Sequence, residues 1–189
     1  MSLPDLSGLR ICILATNGFE QSELIEPRDT LREAGAHVDI VSPESGEIRG
    51  WSGDDWGDSV AVDAPLHGTS AADYHALVLP GGQINPDLLR VDAAAMGLIK
   101  AFADARKPIA AVCHAPWLLI EAGLVRGRTL TCYKSIRTDL INAGANYVDQ
   151  EVAVDGNLIT SRCPDDLPAF SAAIAMATYA AANSKVELV

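Results

Sequence analysis

Cys113 and His114 stand side by side where a short apolar run, Ile109 to Val112, gives way to a helical pattern carrying Trp117, Leu118 and Glu121. A cysteine between a buried strand and a helix N-terminus has the setting of a nucleophile elbow, a tight and often strained turn. The helix dipole and the free N–H groups there favour the thiolate, which is the reactive form of the side chain. The chemistry this predicts is attack by the Cys113 sulfur on an electrophile. A free cysteine is also often a small, inert core residue, and the local pattern alone leaves both readings open.

Two other loops carry matching chemistry. The apolar run Arg10 to Ala15 leads into Asn17-Gly-Phe-Glu-Gln-Ser-Glu23, and Ala76 to Leu79 leads into Pro80-Gly-Gly-Gln83. In open α/β sheets, sites form beyond the carboxyl ends of the strands at a topological switch point. If these three strands are parallel and central, their loops meet. Gly82 and His114 can then present backbone N–H groups to a developing oxyanion. Glu20 or Glu23 can place a carboxyl beside the sulfur. A protonated carboxyl stabilises the thiolate by donating a hydrogen bond, whereas an ionised one repels it, so the glutamate must keep its proton near neutral pH.

The elements that must position these loops alternate along the chain. A helix is expected from about Glu23 to Ala34, with Pro27 either kinking its first turn or marking its true start. A strand, His37 to Ser42, follows and completes a right-handed β-α-β unit. Glu44 to Asp63 reads as a small antiparallel excursion, with β-like pieces at Glu47–Gly50 and Val60–Val62. Asp92 to Arg106 is a helix with Asp92 as N-cap. Pro116 to Ala122 and Ile136 to Ala143 are helices, and Arg128 to Cys132 is a strand. Glu151–Val154 and Leu158–Ser161 form a hairpin about Asp155-Gly156, and Leu167 to Ala182 is a closing alanine-rich helix. The pattern predicts one α/β domain over residues 1–189, with its core at 8–183, built as a doubly wound three-layer sandwich.

Composition narrows the function. The chain has 189 residues and a formal net charge of -11, which argues against broad contact with nucleic acid. No apolar run reaches the roughly 20 residues that span a bilayer. The N-terminus lacks a basic segment followed by an apolar one, so a cytoplasmic protein is expected. The cysteines Cys12, Cys113, Cys132 and Cys163 form no C-x-x-C pair, and no histidine stands at zinc-ligand spacing from them. Four free thiols in a reducing compartment, with no metal site, are therefore expected.

Ala111-Val-Cys-His-Ala-Pro-Trp-Leu-Leu-Ile-Glu-Ala-Gly-Leu-Val-Arg-Gly-Arg128 closely resembles the nucleophile motif of the PfpI family, within the ThiJ/PfpI superfamily. The resemblance continues, in order, through Gly18–Leu24, Asp73–Gly82, Arg137–Ala145, Val152–Arg162 and Pro164–Ala169. It implies a flavodoxin-like α/β/α sandwich with a mostly parallel sheet, of the class I glutamine amidotransferase type. It also implies a homodimer or a larger assembly of dimers. By the same resemblance Cys113 is the nucleophile, His114 its neighbouring histidine, Glu23 the carboxyl that hydrogen-bonds the cysteine, and Gly82 the oxyanion-hole glycine. In the protease I branch an acidic residue of a neighbouring subunit completes a Cys-His-acid triad. The nearest match is Asp87, although that branch uses glutamate at a slightly different spacing. Ala115 also replaces a frequent glycine.

Side-chain alternation turns adjacent residues opposite ways on leaving a strand. The His114 ring is thus expected to point away from the sulfur, toward an interface where Asp87 of a neighbouring copy could meet it. Cys12, Cys132 and Cys163 read as structural, Trp51, Trp56 and His67 as edge cover or the lining of a substrate cleft, and Trp117 as packing. The function implied is a stress-protective cysteine enzyme. Its substrates would be reactive carbonyls (α-oxoaldehydes or glycated proteins and peptides), or peptides if it acts as a hydrolase, and it would need no metal or organic cofactor. The alternative is a redox sensor and chaperone working through oxidation of Cys113.

Overall fold

The computed structural model describes residues 3–183. In chain order the elements begin with β1 (Arg10–Leu14), β2 (Phe19–Glu20), α1 (Gln21–Glu33) and β3 (His37–Ser42). They continue with β4 (Glu47–Ser52), β5 (Asp55–Ala61), β6 (Ala64–Pro65), β7 (Ala76–Leu79), α2 (Ile84–Leu89) and α3 (Ala93–Asp104). Next come β8 (Ile109–Val112), α4 (Pro116–Glu121), β9 (Thr129–Leu130), α5 (Arg137–Asn142) and β10 (Asn146–Tyr147). The chain closes through β11 (Val152–Asp155), β12 (Leu158–Ser161) and α6 (Leu167–Asn183).

Seven strands form the central sheet in the order β11-β12-β8-β7-β1-β3-β6. All neighbours are parallel except the hairpin β11–β12. Each central strand serves two cores, because side chains alternate across a strand. Ile11, Ile13, Val78, Ala110 and Val112 pack on one face with Leu24 and Leu31 of α1 and Phe170 and Ile174 of α6. Cys12, Leu14, Leu77, Leu79, Ile109 and Ala111 pack on the other with Ile99 and Phe102 of α3, Leu118 of α4 and Leu140 of α5. The result is the three-layer, flavodoxin-like α/β sandwich, and the carboxyl ends of β1, β7 and β8 lie together at its centre.

Several local expectations change. The first helix starts at Gln21 and runs through a buried Pro27, so it does not begin at the proline. That retained first turn is what carries Glu23. The run Arg128–Cys132 contributes only Thr129–Leu130, paired with β10 in a two-stranded ladder outside the main sheet. The excursion is more regular than expected: β2, β4 and β5 form a small sheet in which Phe19–Glu20 pairs with Gly50–Trp51. Residues 84–89 form a helix that the turn-like Asn85-Pro86 obscured; proline is tolerated in the first turn, where its missing N–H has no helical partner in any case.

Candidate active site

The strand β8 ends in a residue that a strand cannot accommodate. Cys113 has φ +62°, in the left-handed region that non-glycine residues rarely occupy, at a cost on the order of 1 kcal/mol. Its backbone is held there from both sides: its N–H donates to the Ser161 carbonyl at 3.0 Å, and its carbonyl accepts from the Tyr133 N–H at 2.9 Å. The twist breaks the alternation of the strand. Continued extension would send Cys113 to the face of Ile109 and Ala111, but it packs instead with Val112 on the α1 face. That is the face of Glu23.

The same twist corrects the expected direction of His114. Its Nδ1 lies 3.1 Å from the Cys113 Sγ, so the ring reaches the sulfur. The outer nitrogen, Nε2, lies 3.0 Å from the Ser135 Oγ. Tyr133 stacks on the imidazole at 4.9 Å and Trp117 meets it edge-on at 5.3 Å. Trp117 is fixed in turn by donating its indole N–H to Asp139 at 2.8 Å. Burial holds the His114 pKa below its ordinary value, which keeps the ring neutral. Asp87 sits exposed on α2, and within the chain it makes no hydrogen bond to the imidazole.

Glu23 is 0% exposed and Cys113 6%. One carboxyl oxygen, Oε2, accepts from the Gly81 N–H at 2.9 Å, while Oε1 is buried with no other protein group satisfying it at ordinary hydrogen-bond geometry. Burial raises the Glu23 pKa to about 8; interaction with the Cys113 thiol and the Gly81 and Gly82 amides opposes that rise, and the charge of Glu20 adds to it. Burial also pushes the Cys113 thiol up, and an ionised Glu23 pushes it further. The Gly82 and His114 amides, expected as oxyanion donors, pull it down. Glu20 is less deeply buried and receives the Ser22 hydroxyl at 3.3 Å, whereas Glu23 interacts with the Cys113 thiol.

Gly81 and Gly82 are small of necessity. A Cβ on Gly81 would lie 2.5 Å from Glu23 Oε2 and 2.8 Å from the Cys113 Cβ, and one on Gly82 would lie 2.6 Å from the Gly18 carbonyl. The loop is pinned by Asn85, which is fully buried. Its Oδ1 accepts from the Thr16 N–H at 2.8 Å, and its Nδ2 donates to the Pro80 carbonyl at 2.8 Å and the Gly81 carbonyl at 3.3 Å. Asn85 thus ties the ends of β1 and β7 together. Neither Asn85 nor Ser135 is signalled by the sequence. Asn85 lies in an apparent turn, and Ser135 stands 21 residues from the histidine it meets.

A cavity of about 730 Å³ opens over the sulfur. Trp51, for which the sequence left edge cover and cleft lining both open, forms part of its wall together with Glu20, Asp54, Ile84 and Tyr133. Trp56 supports Trp51 edge-on at 5.6 Å. The remaining thiols lie elsewhere: Cys12 is in β1, burial pushes Cys132 up to about 12, and Cys163 is raised by burial and by Asp166. Among the described residues, no group of three or more His, Cys, Asp or Glu is placed to hold a metal ion.

The chain is similar to known proteins over most of its length. The model of the DJ-1/PfpI family matches residues 9–177. The chain is 44% identical, over 86% of its length and 94% of the relative's, to the putative cysteine protease YraA of Bacillus subtilis. It is 43% identical to protein/nucleic acid deglycase 2 of Escherichia coli, over 86% of this chain and 93% of that one. The crystal structure of Drosophila melanogaster DJ-1beta superposes with a TM-score of 0.81 at 27% identity, covering 94% of this chain and 97% of that one.

Proposed function

We propose that this chain, which belongs to the DJ-1/PfpI family, is a stress-protective cysteine enzyme that attacks reactive carbonyls, either free α-oxoaldehydes or their adducts on proteins and peptides. The observation that carries this reading is the buried Cys113–Glu23 pair under an open cavity. Two adjacent anions in so dry a site are strongly disfavoured, so the pair keeps at least one proton through the neutral range. Glu23 is the more deeply buried partner. A proton on its Oε1 satisfies that atom by donating to the sulfur, and it removes the charge that pushes the thiol up. The sulfur, at the cavity wall with the Gly82 and His114 amides, then carries the negative charge.

The thiolate adds to the aldehyde carbon of a compound such as methylglyoxal and forms a hemithioacetal. Transfer of a proton from C1 to C2, through the neutral His114 or through Glu23, gives a lactoyl thioester. Water then releases lactate and restores the thiol. The cavity is larger than such a molecule needs, which supports carbonyl groups borne on a side chain or peptide as substrates. It is lined by Glu20, Glu23 and Asp54 and by no lysine or arginine, which disfavours phosphorylated substrates.

Peptide hydrolysis is a weaker reading. A leaving amine needs a cationic acid, and here the imidazole is kept neutral against a hydroxyl. A carboxylate from Asp87 of a neighbouring subunit would change that. Exposed Ile84, Leu88 and Val91 give the region of α2 an apolar face at helical spacing, which supports a second copy docking there. Four free thiols and the net charge of -11 suit a reducing cytoplasm. The test is turnover of methylglyoxal to lactate by purified protein. Activity in the wild type and none in Cys113→Ser supports the enzyme. No turnover in either, with selective oxidation of Cys113 by peroxide, supports a redox sensor instead.

A further inference from the structure

Ser135 holds the outer side of the imidazole and is set apart from the cavity. Cys113 and His114 are buried and both face the cavity, whereas Ser135 is exposed and is not among the cavity-lining residues. The chain of contacts runs from Cys113 Sγ to His114 Nδ1 at 3.1 Å, and from Nε2 to Ser135 Oγ at 3.0 Å. A hydroxyl can donate or accept, whereas a carboxylate in its place could only accept. A neutral imidazole carries one N–H and one lone pair, so either tautomer satisfies both of its neighbours here.

We infer that Ser135 is a positioning residue for His114 that gives the Cys113 proton an exit to water separate from the substrate cavity. The inference rests on the carbonyl-enzyme reading for its purpose, but not for its geometry. In the outward step the Sγ–H proton passes to Nδ1. The Nε2 proton passes to the Ser135 oxygen, and the original hydroxyl proton passes to water. The ring is neutral before and after, with its tautomer exchanged, and no charge is left in the buried layer beyond that on the sulfur. The reverse sequence returns a proton to the site. Substrate filling the cavity shields the sulfur from water on that side and leaves the Ser135 side open.

The full-length chain is compared with Ser135→Ala, Ser135→Thr and Ser135→Asp in two assays. In methylglyoxal turnover, Ser135→Ala is expected to lower kcat about fivefold, the effect of one ordinary hydrogen bond, with KM held within about twofold. Ser135→Thr restores kcat. Ser135→Asp favours the imidazolium and moves the acidic limb of the kcat–pH profile upward by about one unit. In the second assay, iodoacetamide alkylation of Cys113 is followed by peptide mass spectrometry and needs no turnover. Followed against pH, the acidic midpoint of the alkylation rate is expected to move up by about 0.7 unit in Ser135→Ala and to return to the wild-type position in Ser135→Thr. The inference is overturned if Ser135→Ala alkylates at the wild-type rate with an unmoved pH profile, or if Ser135→Thr is as impaired as Ser135→Ala. Wild-type protein that fails to turn over methylglyoxal yet shows Ser135-dependent alkylation refutes the carbonyl reading and supports the role of Ser135. Turnover with Ser135-independent alkylation does the reverse.

Discussion

Glu23 can be tested as a stability probe once the thiol beside it is removed. In a Cys113→Ala background the carboxyl titrates without a coupled partner, and it can be compared with Cys113→Ala/Glu23→Gln, which cannot ionise. An unfolded chain releases the Glu23 proton near its ordinary pKa of 4.5, whereas the native chain holds it to about 8. Between those values the native state binds more protons, so stability falls as pH rises. Each unit in that interval costs about 1.4 kcal/mol. The glutamate variant should therefore lose, relative to the glutamine variant, about 3 kcal/mol by pH 7 and at most about 5 kcal/mol above pH 8. Removing the thiol also removes its hydrogen bond to the carboxyl, which had favoured the charged form, so the window does not move down. Urea denaturation at a series of pH values measures the difference directly, because total stabilities are on the order of 5–15 kcal/mol. Parallel curves, differing by less than about 1 kcal/mol of relative change across the series, would refute the desolvation argument.

Three further substitutions test the framework around the sulfur. The left-handed backbone of Cys113 should make Cys113→Gly more stable than Cys113→Ala by about 1 kcal/mol in thermal unfolding, whereas an unstrained position would favour alanine. Asn85→Ala leaves the Thr16 N–H and the Pro80 and Gly81 carbonyls without their partner, so it should cost about 2–4 kcal/mol in chemical denaturation and lower kcat at permissive temperature. Trp51→Ala removes a cavity wall whose indole N–H donates to the Gly53 carbonyl and not to the proton-transfer groups, and should raise KM for a glycated peptide roughly tenfold with kcat within about threefold. A fall in kcat alone would show that Trp51 contributes to catalysis and not to binding.

The sequence showed most of what positions the site and little of what tunes it. Continuous apolar runs marked β1, β7 and β8, because strands buried on both faces must be hydrophobic throughout. Gly82 and Cys113 were legible for the same reason, as chemistry appearing where each run stops, whereas Glu23 was separated from Glu20 only by the family resemblance. The His114 ring was assigned the wrong direction because strand alternation was carried through a residue whose backbone leaves the strand. A positive φ at a cysteine has no local signature; it is imposed by the Ser161 carbonyl and the Tyr133 N–H, both distant in sequence. Asn85 and Ser135 were invisible on similar grounds, since each acts through contacts that only the folded chain makes. Edge cover and cleft lining both stayed open for Trp51 because the pairing of β2 with β4, which brings it to the cavity, rests on just two residues of each strand.

The most direct measurement is the rate of Cys113 alkylation as a function of pH, with each thiol resolved by peptide mass spectrometry. A proton held on Glu23 and a charge held on the sulfur should give rapid, nearly pH-independent modification of Cys113 through the neutral range, while Cys12 and Cys132 stay unmodified. A Cys113 rate that is negligible at neutral pH and rises only in strongly alkaline solution would contradict this.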